Sequence, residues 1–191
     1  MTIELANLEL TPKKWVSIQK LARKSNTNAM YLTGVAYMLG GLVDIDSKKA
    51  YFWFKKAADK GHADAAFRNG FLLQHRSVVD ETQTPFQWYE KAANMGSGAA
   101  LCALGNTWTF DKLKQQRWWH RWIGGADNSD SAQNAVTHYK KALEKEYAAA
   151  NYFLGVHHLK GWGIPKDKAK ALSFFEEGLA LKDKDSALAI A

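Results

Sequence analysis

Apolar and small residues recur along this chain at the 3–4 spacing of a helix face, in short segments separated by turn residues. From Pro12 to Lys24, Trp15, Ile18, Leu21 and Ala22 form one stripe behind Thr11-Pro12, a cap followed by proline at the first helical position. From Asn28 to Leu39, Met30, Thr33, Gly34 and Tyr37 form a stripe, and Tyr31, Val35, Met38 and Leu39 make a second apolar side. A surface helix needs one stripe. Two predict either a helix sandwiched between neighbours or one whose second side lines a groove. Gly40-Gly41 then turns the chain, and Asp46 reads as the N-cap of a helix running to about Lys60. In that helix Ala50, Trp53, Ala57 and Ala58 are expected to face inward, with Lys48, Lys49, Lys55, Lys56 and Lys60 in water. Gly61 is expected to close it.

This pair of segments is repeated. Gly34, Gly70, Gly105 and Gly155 each follow an alanine at a fixed offset: Ala29, Ala65, Ala100 and Ala150. The second segments carry Trp53-Phe54, Trp88-Tyr89, His138-Tyr139 and Phe174-Phe175 at matching places. A period in this range predicts a helical solenoid. The separations Ala58 to Gly70, Ala93 to Gly105 and Leu143 to Gly155 are equal, whereas Gly105 to Leu143 is longer than its counterparts by roughly 14 residues. The extra residues therefore fall between the two helices of the third unit, within 109–131. From Asp111 to Ile123 they read as an extra helix or an extension of the preceding one, stopped by Gly124-Gly125.

The run Ala-x-x-x-x-Gly-x-x-Tyr-x-x-Gly-x-x-Val-x-x-Asp-x-x-x-Ala-x-x-Trp-Phe-x-x-Ala-Ala-x-x-Gly, from Ala29 to Gly61, resembles a Sel-one-like repeat, a branch of the tetratricopeptide superfamily. The fourth unit keeps Gly155, Gly161, Gly163, Asp167, Ala171 and Phe174. The second has lost the glycine loop, having the polar stretch Arg76–Gln83 before a second cap-plus-proline signal at Thr84-Pro85. The resemblance covers roughly residues 28–191. It implies an all-α fold: a right-handed α-solenoid of about four antiparallel helix pairs, an α-α superhelix acting as adaptor, regulator or inhibitor through protein contacts. It implies no catalytic residues. Residues 1–27 form an arm and capping helix in this scheme, and 28–191 the solenoid. The tail Asp183–Ala191 either begins another capping helix or marks where a longer chain is cut. In tetratricopeptide-like packing Tyr31, Phe67 and Tyr152 project to the inner side, as do Val35, Phe71, Asn106 and Val156. Phe67 and Phe71 then make an aromatic step.

The 191 residues are 47% hydrophobic, enough for a buried core in one domain. No run of 18 apolar residues exists, and the acidic N-terminus is unlike a signal peptide, so a cytoplasmic protein with no membrane contact is expected. Cys102, the single cysteine, stands where other units hold Tyr31, Phe67 and Tyr152, and reads as a small buried or half-buried apolar residue in a reducing compartment. A net charge of +7 points to solubility or to an acidic partner, protein or nucleic acid, and the scattered lysine pairs Lys48-Lys49, Lys55-Lys56 and Lys140-Lys141 read as solvated helix faces. No phosphate-binding glycine loop and no Gly-x-Ser-x-Gly elbow appears. The adjacent His157-His158 point in different directions on a helix and lack ligand spacing, so neither a metal nor a cofactor is expected. Asp44 and Asp46, like Glu176 and Glu177, read as caps and solvated charges.

Arg117-Trp118-Trp119-His120-Arg121-Trp122 is the one constellation above background. Its tryptophans can stack on bases while Arg117 and Arg121 hold phosphates, anchor a protein partner, or fill the core of the lengthened unit. The reading that follows is a non-enzymatic scaffold for a dedicated protein partner with an acidic surface, within the family an immunity or inhibitor protein that neutralises a toxin. The alternative is an adaptor binding nucleic acid through the insertion. The expected binding residues are Tyr31, Val35, Phe67, Phe71, Arg117, Trp118, Trp119, Arg121, Trp122 and Tyr152.

Overall fold

A computed structural model describes residues 11–115 and 130–181. The expected N-terminal arm, the Arg117–Trp122 cluster and the tail from Asp183 lie outside the described residues. The chain divides into two compact units, Met1–Met95 and Gly96–Ala191.

The first unit contains α1 (Pro12–Arg23), α2 (Thr27–Leu39), α3 (Ser47–Ala58), α4 (Ala63–Gln74) and α5 (Pro85–Asn94). Each helix packs on the next in sequence, so α2 with α3 and α4 with α5 are antiparallel hairpins and α1 lies against α2. The starts follow from capping chemistry. The Thr11 hydroxyl accepts from the Lys14 N–H at 3.4 Å, and the Asp46 carboxylate from the Lys49 N–H at 2.9 Å. Thr84 and Gln87 form a reciprocal capping box, with bonds of 3.2 and 2.8 Å. All three caps stand where the sequence places them.

The second unit contains α6 (Gly98–Gln115), α7 (Asp130–Glu144), α8 (Ala149–Lys160) and α9 (Lys168–Ala180), again packed in succession. At 18 residues α6 outruns α2 (13), α4 (12) and α8 (12), so as far as Gln115 the inserted stretch continues the first helix.

The repeat glycines lock each hairpin. A Cβ on Gly34 would lie 2.6 Å from the Phe54 ring, and one on Gly70 2.6 Å from Tyr89. On Gly105 it would meet Tyr139 at 2.4 Å, and on Gly155, Phe175 at 2.4 Å. The glycine removes the atom that would hold the second helix away, and an aromatic edge fills the space. This settles which aromatic of each pair meets the glycine. Phe54 is fully buried whereas Trp53 is half-buried, so the expected inward role of Trp53 belongs to Phe54. Adjacent helical residues point about 100° apart, and the glycine selects the second of the two. The alanines before the glycines, Ala29, Ala65, Ala100 and Ala150, are all buried.

One further rule links the two helices. In the hairpins whose lock is tyrosine, its hydroxyl reaches a polar residue one turn past the glycine. Tyr89 donates to Gln74, while Tyr139 lies 3.2 Å from Thr109 and donates to Asn106 at 2.8 Å. In the hairpins whose lock is phenylalanine, Phe54 and Phe175, the corresponding residues are Met38 and Leu159.

Candidate partner-binding surface

In the first unit the expected inner-side residues divide by exposure. Val35 is 3% exposed and offers a partner no surface. It serves the core, because the second apolar side of α2 is itself partly covered by packing. Tyr31 is half-buried, stacked on His62 at 4.4 Å between ring centres and tilted against Phe54 at 5.7 Å. Phe67 is half-buried against Tyr89 at 5.7 Å. Phe71 is 38% exposed, with its ring 4.2 Å from His75. Phe67 and Phe71 thus form a step on α4, whose lower ring rests on the lock and whose upper ring is open to solvent.

In the second unit Tyr152 is half-buried, with ring centres 5.4 Å from Phe153 and 6.1 Å from Phe175. Val156 is half-buried, and Asn106 is bound to Tyr139. Cys102 is buried, as its place among aromatics suggested. His157 is buried with Nδ1 2.8 Å from the Trp162 carbonyl, and His158 stacks on Phe174 at 5.5 Å. These histidines hold the turn after α8. Among the described residues no group of three His, Cys, Asp or Glu side chains is placed to hold a metal ion. No described helix is long and apolar enough to cross a membrane.

The glycine-free turn of the second repeat contains the most strongly tethered carboxylate among the described residues. Asp80 accepts from the Thr82 N–H at 2.8 Å, the Thr82 hydroxyl at 2.6 Å and the Tyr51 hydroxyl at 2.6 Å. The Trp88 indole N–H donates to the Tyr51 oxygen at 3.1 Å, and Lys55 Nζ stands 3.9 Å from Asp80. Hydrogen bonds from Thr82 first, then from Tyr51, hold the Asp80 carboxyl down at about 2. Burial pushes the Tyr51 phenol well above its ordinary range, and Tyr89 up to about 12. Burial likewise raises Tyr139 and lowers His62. These perturbed groups bond within the fold. The Tyr51–Asp80 bond joins residues far apart in sequence, which periodicity cannot reveal.

A second residue that periodicity missed is Arg68. It is half-buried on α4, and its Nε is shut off from solvent without a hydrogen-bond partner. Its one sequence signal is a cation at a repeat position that is apolar elsewhere.

Comparison with known proteins follows the same anatomy. The Sel1 repeat model matches residues 27–62, 86–97 and 148–183. The stretches left out contain the glycine-free turn and the hairpin with the insertion. The chitin synthase regulatory factor 2 of Schizosaccharomyces pombe is 36% identical over 70 residues, 36% of this chain and 14% of that protein, so the chain spans a small part of that relative's length. The Sel1 repeat protein from Oxalobacter formigenes matches with a TM-score of 0.72 at 24% identity, over 91% of this chain and 65% of that one. Immunity protein Pa5087 from Pseudomonas aeruginosa matches with a TM-score of 0.60 at 20% identity, over 92% and 60%. At these identities the structural matches establish the fold, an α-solenoid of helix pairs.

Proposed function

We propose that this chain, a Sel1 repeat protein, is a non-enzymatic scaffold that binds a dedicated protein partner, and that the partner is a toxin it neutralises. The observation that carries the reading is the α4 step. Phe71, 38% exposed above the half-buried Phe67, stands on a helix whose ends and core are already fixed, a place from which a ring can anchor a protein partner. Asp80 and the tyrosines with shifted pKa values are bonded to one another or to amide side chains of the fold, which supports a structural role for them. The likeness to an immunity protein supports the toxin reading at the level of fold. Tyr152, half-buried in the second unit, and the Trp-Arg cluster expected from the sequence are proposed as further partner-binding residues.

Capture from the protein's own cell lysate, with and without nuclease, tests the class of partner. The expected result is one dominant protein, retained after nuclease, that is toxic when expressed alone and harmless when expressed with this chain. Replacing Trp119 and Arg121 together by alanine is expected to weaken that complex by roughly 2 kcal/mol or more while helix content is retained. Loss of the captured material on nuclease treatment, with steep salt dependence, would instead identify nucleic acid.

A further inference from the structure

Arg68 occupies a position held in the other repeats by Leu32, Ala103 and Phe153. Those residues are half-buried, and so is Arg68. Its Nε is withdrawn from water without an acceptor, and its guanidinium carbon stands 5.9 Å from the Phe67 ring centre. The ion pairs of the described residues join other side chains. Asp64, one turn earlier on the helix, is exposed and does not bridge to it. A desolvated N–H without an acceptor costs free energy that an apolar side chain here would not. Within the fold the cation has a ring contact on Phe67, while its Nε is left without an acceptor.

The surroundings indicate what the outer N–H groups of Arg68 could take. Arg68, Phe71 and His75 fall at i, i+3 and i+7, on one face of α4. Phe71 and His75 are exposed, and Arg76 follows at the helix end, also exposed. The face thus pairs an apolar ring with a planar fork of N–H donors, the geometry that takes a carboxylate in two parallel bonds.

We propose that this face of α4 docks an acidic segment of the protein partner, with a carboxylate on Arg68 and a neighbouring apolar side chain on Phe71. The proposal rests on the protein-binding reading above and specifies its chemistry. The chain's net charge of +7 favours the approach of such a segment.

The probe is a fluorescent synthetic peptide of alternating Glu and Phe, beside the same peptide with Gln for Glu and a single-stranded oligonucleotide. Anisotropy titrations use the full chain, Arg68→Leu and Phe71→Ala. Arg68→Leu copies the first repeat and should melt at or above the wild-type temperature. It should lose about tenfold or more in affinity for the Glu peptide, with little change for the Gln peptide. Phe71→Ala should weaken both peptides.

A lower melting temperature for Arg68→Leu with unchanged peptide affinity would give Arg68 a structural role and overturn the proposal. So would equal affinity for the Glu and Gln peptides, or no binding of either up to about 1 mM. If Phe71→Ala weakens both peptides while Arg68→Leu weakens neither, protein binding stands and the carboxylate site falls. Preference for the oligonucleotide overturns both readings. A dimer that Arg68→Leu dissociates assigns the face to a second copy and overturns the acidic-segment proposal.

Discussion

Between α2 and α3 the chain turns on Gly40 and Gly41, with φ of 81° and 104°, backbone that glycine adopts at little cost. Between α4 and α5 there is no glycine. Arg76 takes the left-handed conformation instead, with φ of 54°, and Asp80 gathers three hydrogen bonds to fix the rest. One turn is specified by backbone permissiveness, the other by side-chain tethers that reach back to Tyr51 of the preceding hairpin. The tethered turn depends on a side chain of the preceding hairpin, whereas the glycine turn is held within its own hairpin, with Asp46 capping α3. Beneath both, the glycine–aromatic lock is the same.

Breaking the shared element should have the largest effect. Gly70→Leu would drive a Cβ to within 2.6 Å of the Tyr89 ring and 3.1 Å of the Pro85 carbonyl. The expected cost is about 3 kcal/mol, read from chemical denaturation. Gly34→Leu, against Phe54, should cost a similar amount, and a large disparity would show that the hairpins do not share one lock.

Cutting the tether comes next. Asp80→Ala leaves the Tyr51 hydroxyl and the Thr82 groups without their acceptor and should cost about 2 kcal/mol. Asp44→Ala, in the glycine turn, should stay within about 0.5 kcal/mol of wild type. Equal losses would remove the distinction between the turns.

Acid acts on the tethered turn and on the cap of α4 in two different ranges. The Asp80 carboxyl is lowered from an ordinary 3.8 to about 2, so its contribution is complete above 3.8 and disappears as pH falls toward 2. His62 caps α4 through Nδ1, which accepts from the Ala65 N–H at 3.3 Å and must be unprotonated to do so. Burial lowers its pKa below 6.5, so its contribution is complete above 6.5 and begins to fall away as pH drops below that. Melts across this range should show two declining stretches, and Asp80→Asn should flatten the one at lower pH.

The smallest effect is expected from making the two turns more alike. Arg76→Gly relieves the left-handed arginine at the end of α4 and should stabilise by about 0.5 kcal/mol, after the added freedom of the unfolded chain is subtracted. A loss of stability would mean that the arginine side chain itself holds the turn.

These contrasts mark what could be read from sequence. Caps at Thr11, Asp46 and Thr84, and the register of the four glycines, depend on residues within a turn of one another and were legible. Val35 and Trp53 were misplaced because an apolar side chain on a doubly apolar helix fits either face until its neighbour is known. Asp80 and Arg68 owe their roles to contacts made, or lacking, in three dimensions. Within the candidate surface, the aromatic positions on α4 were legible, but the cation beside them was not.

The locks also have a kinetic consequence. Gly34 and Phe54 are about twenty residues apart, as are the pairs that lock α4 to α5 and α8 to α9, whereas Gly105 and Tyr139 are separated by about thirty-four. Closing the longer loop costs roughly 0.5 kcal/mol more chain entropy before the ring reaches its glycine. Hairpins with close partners form early, so α6 and α7 are the pair that should meet last in a refolding chain. Pulse-labelled hydrogen exchange would then find the amides of α7 among the last to gain protection.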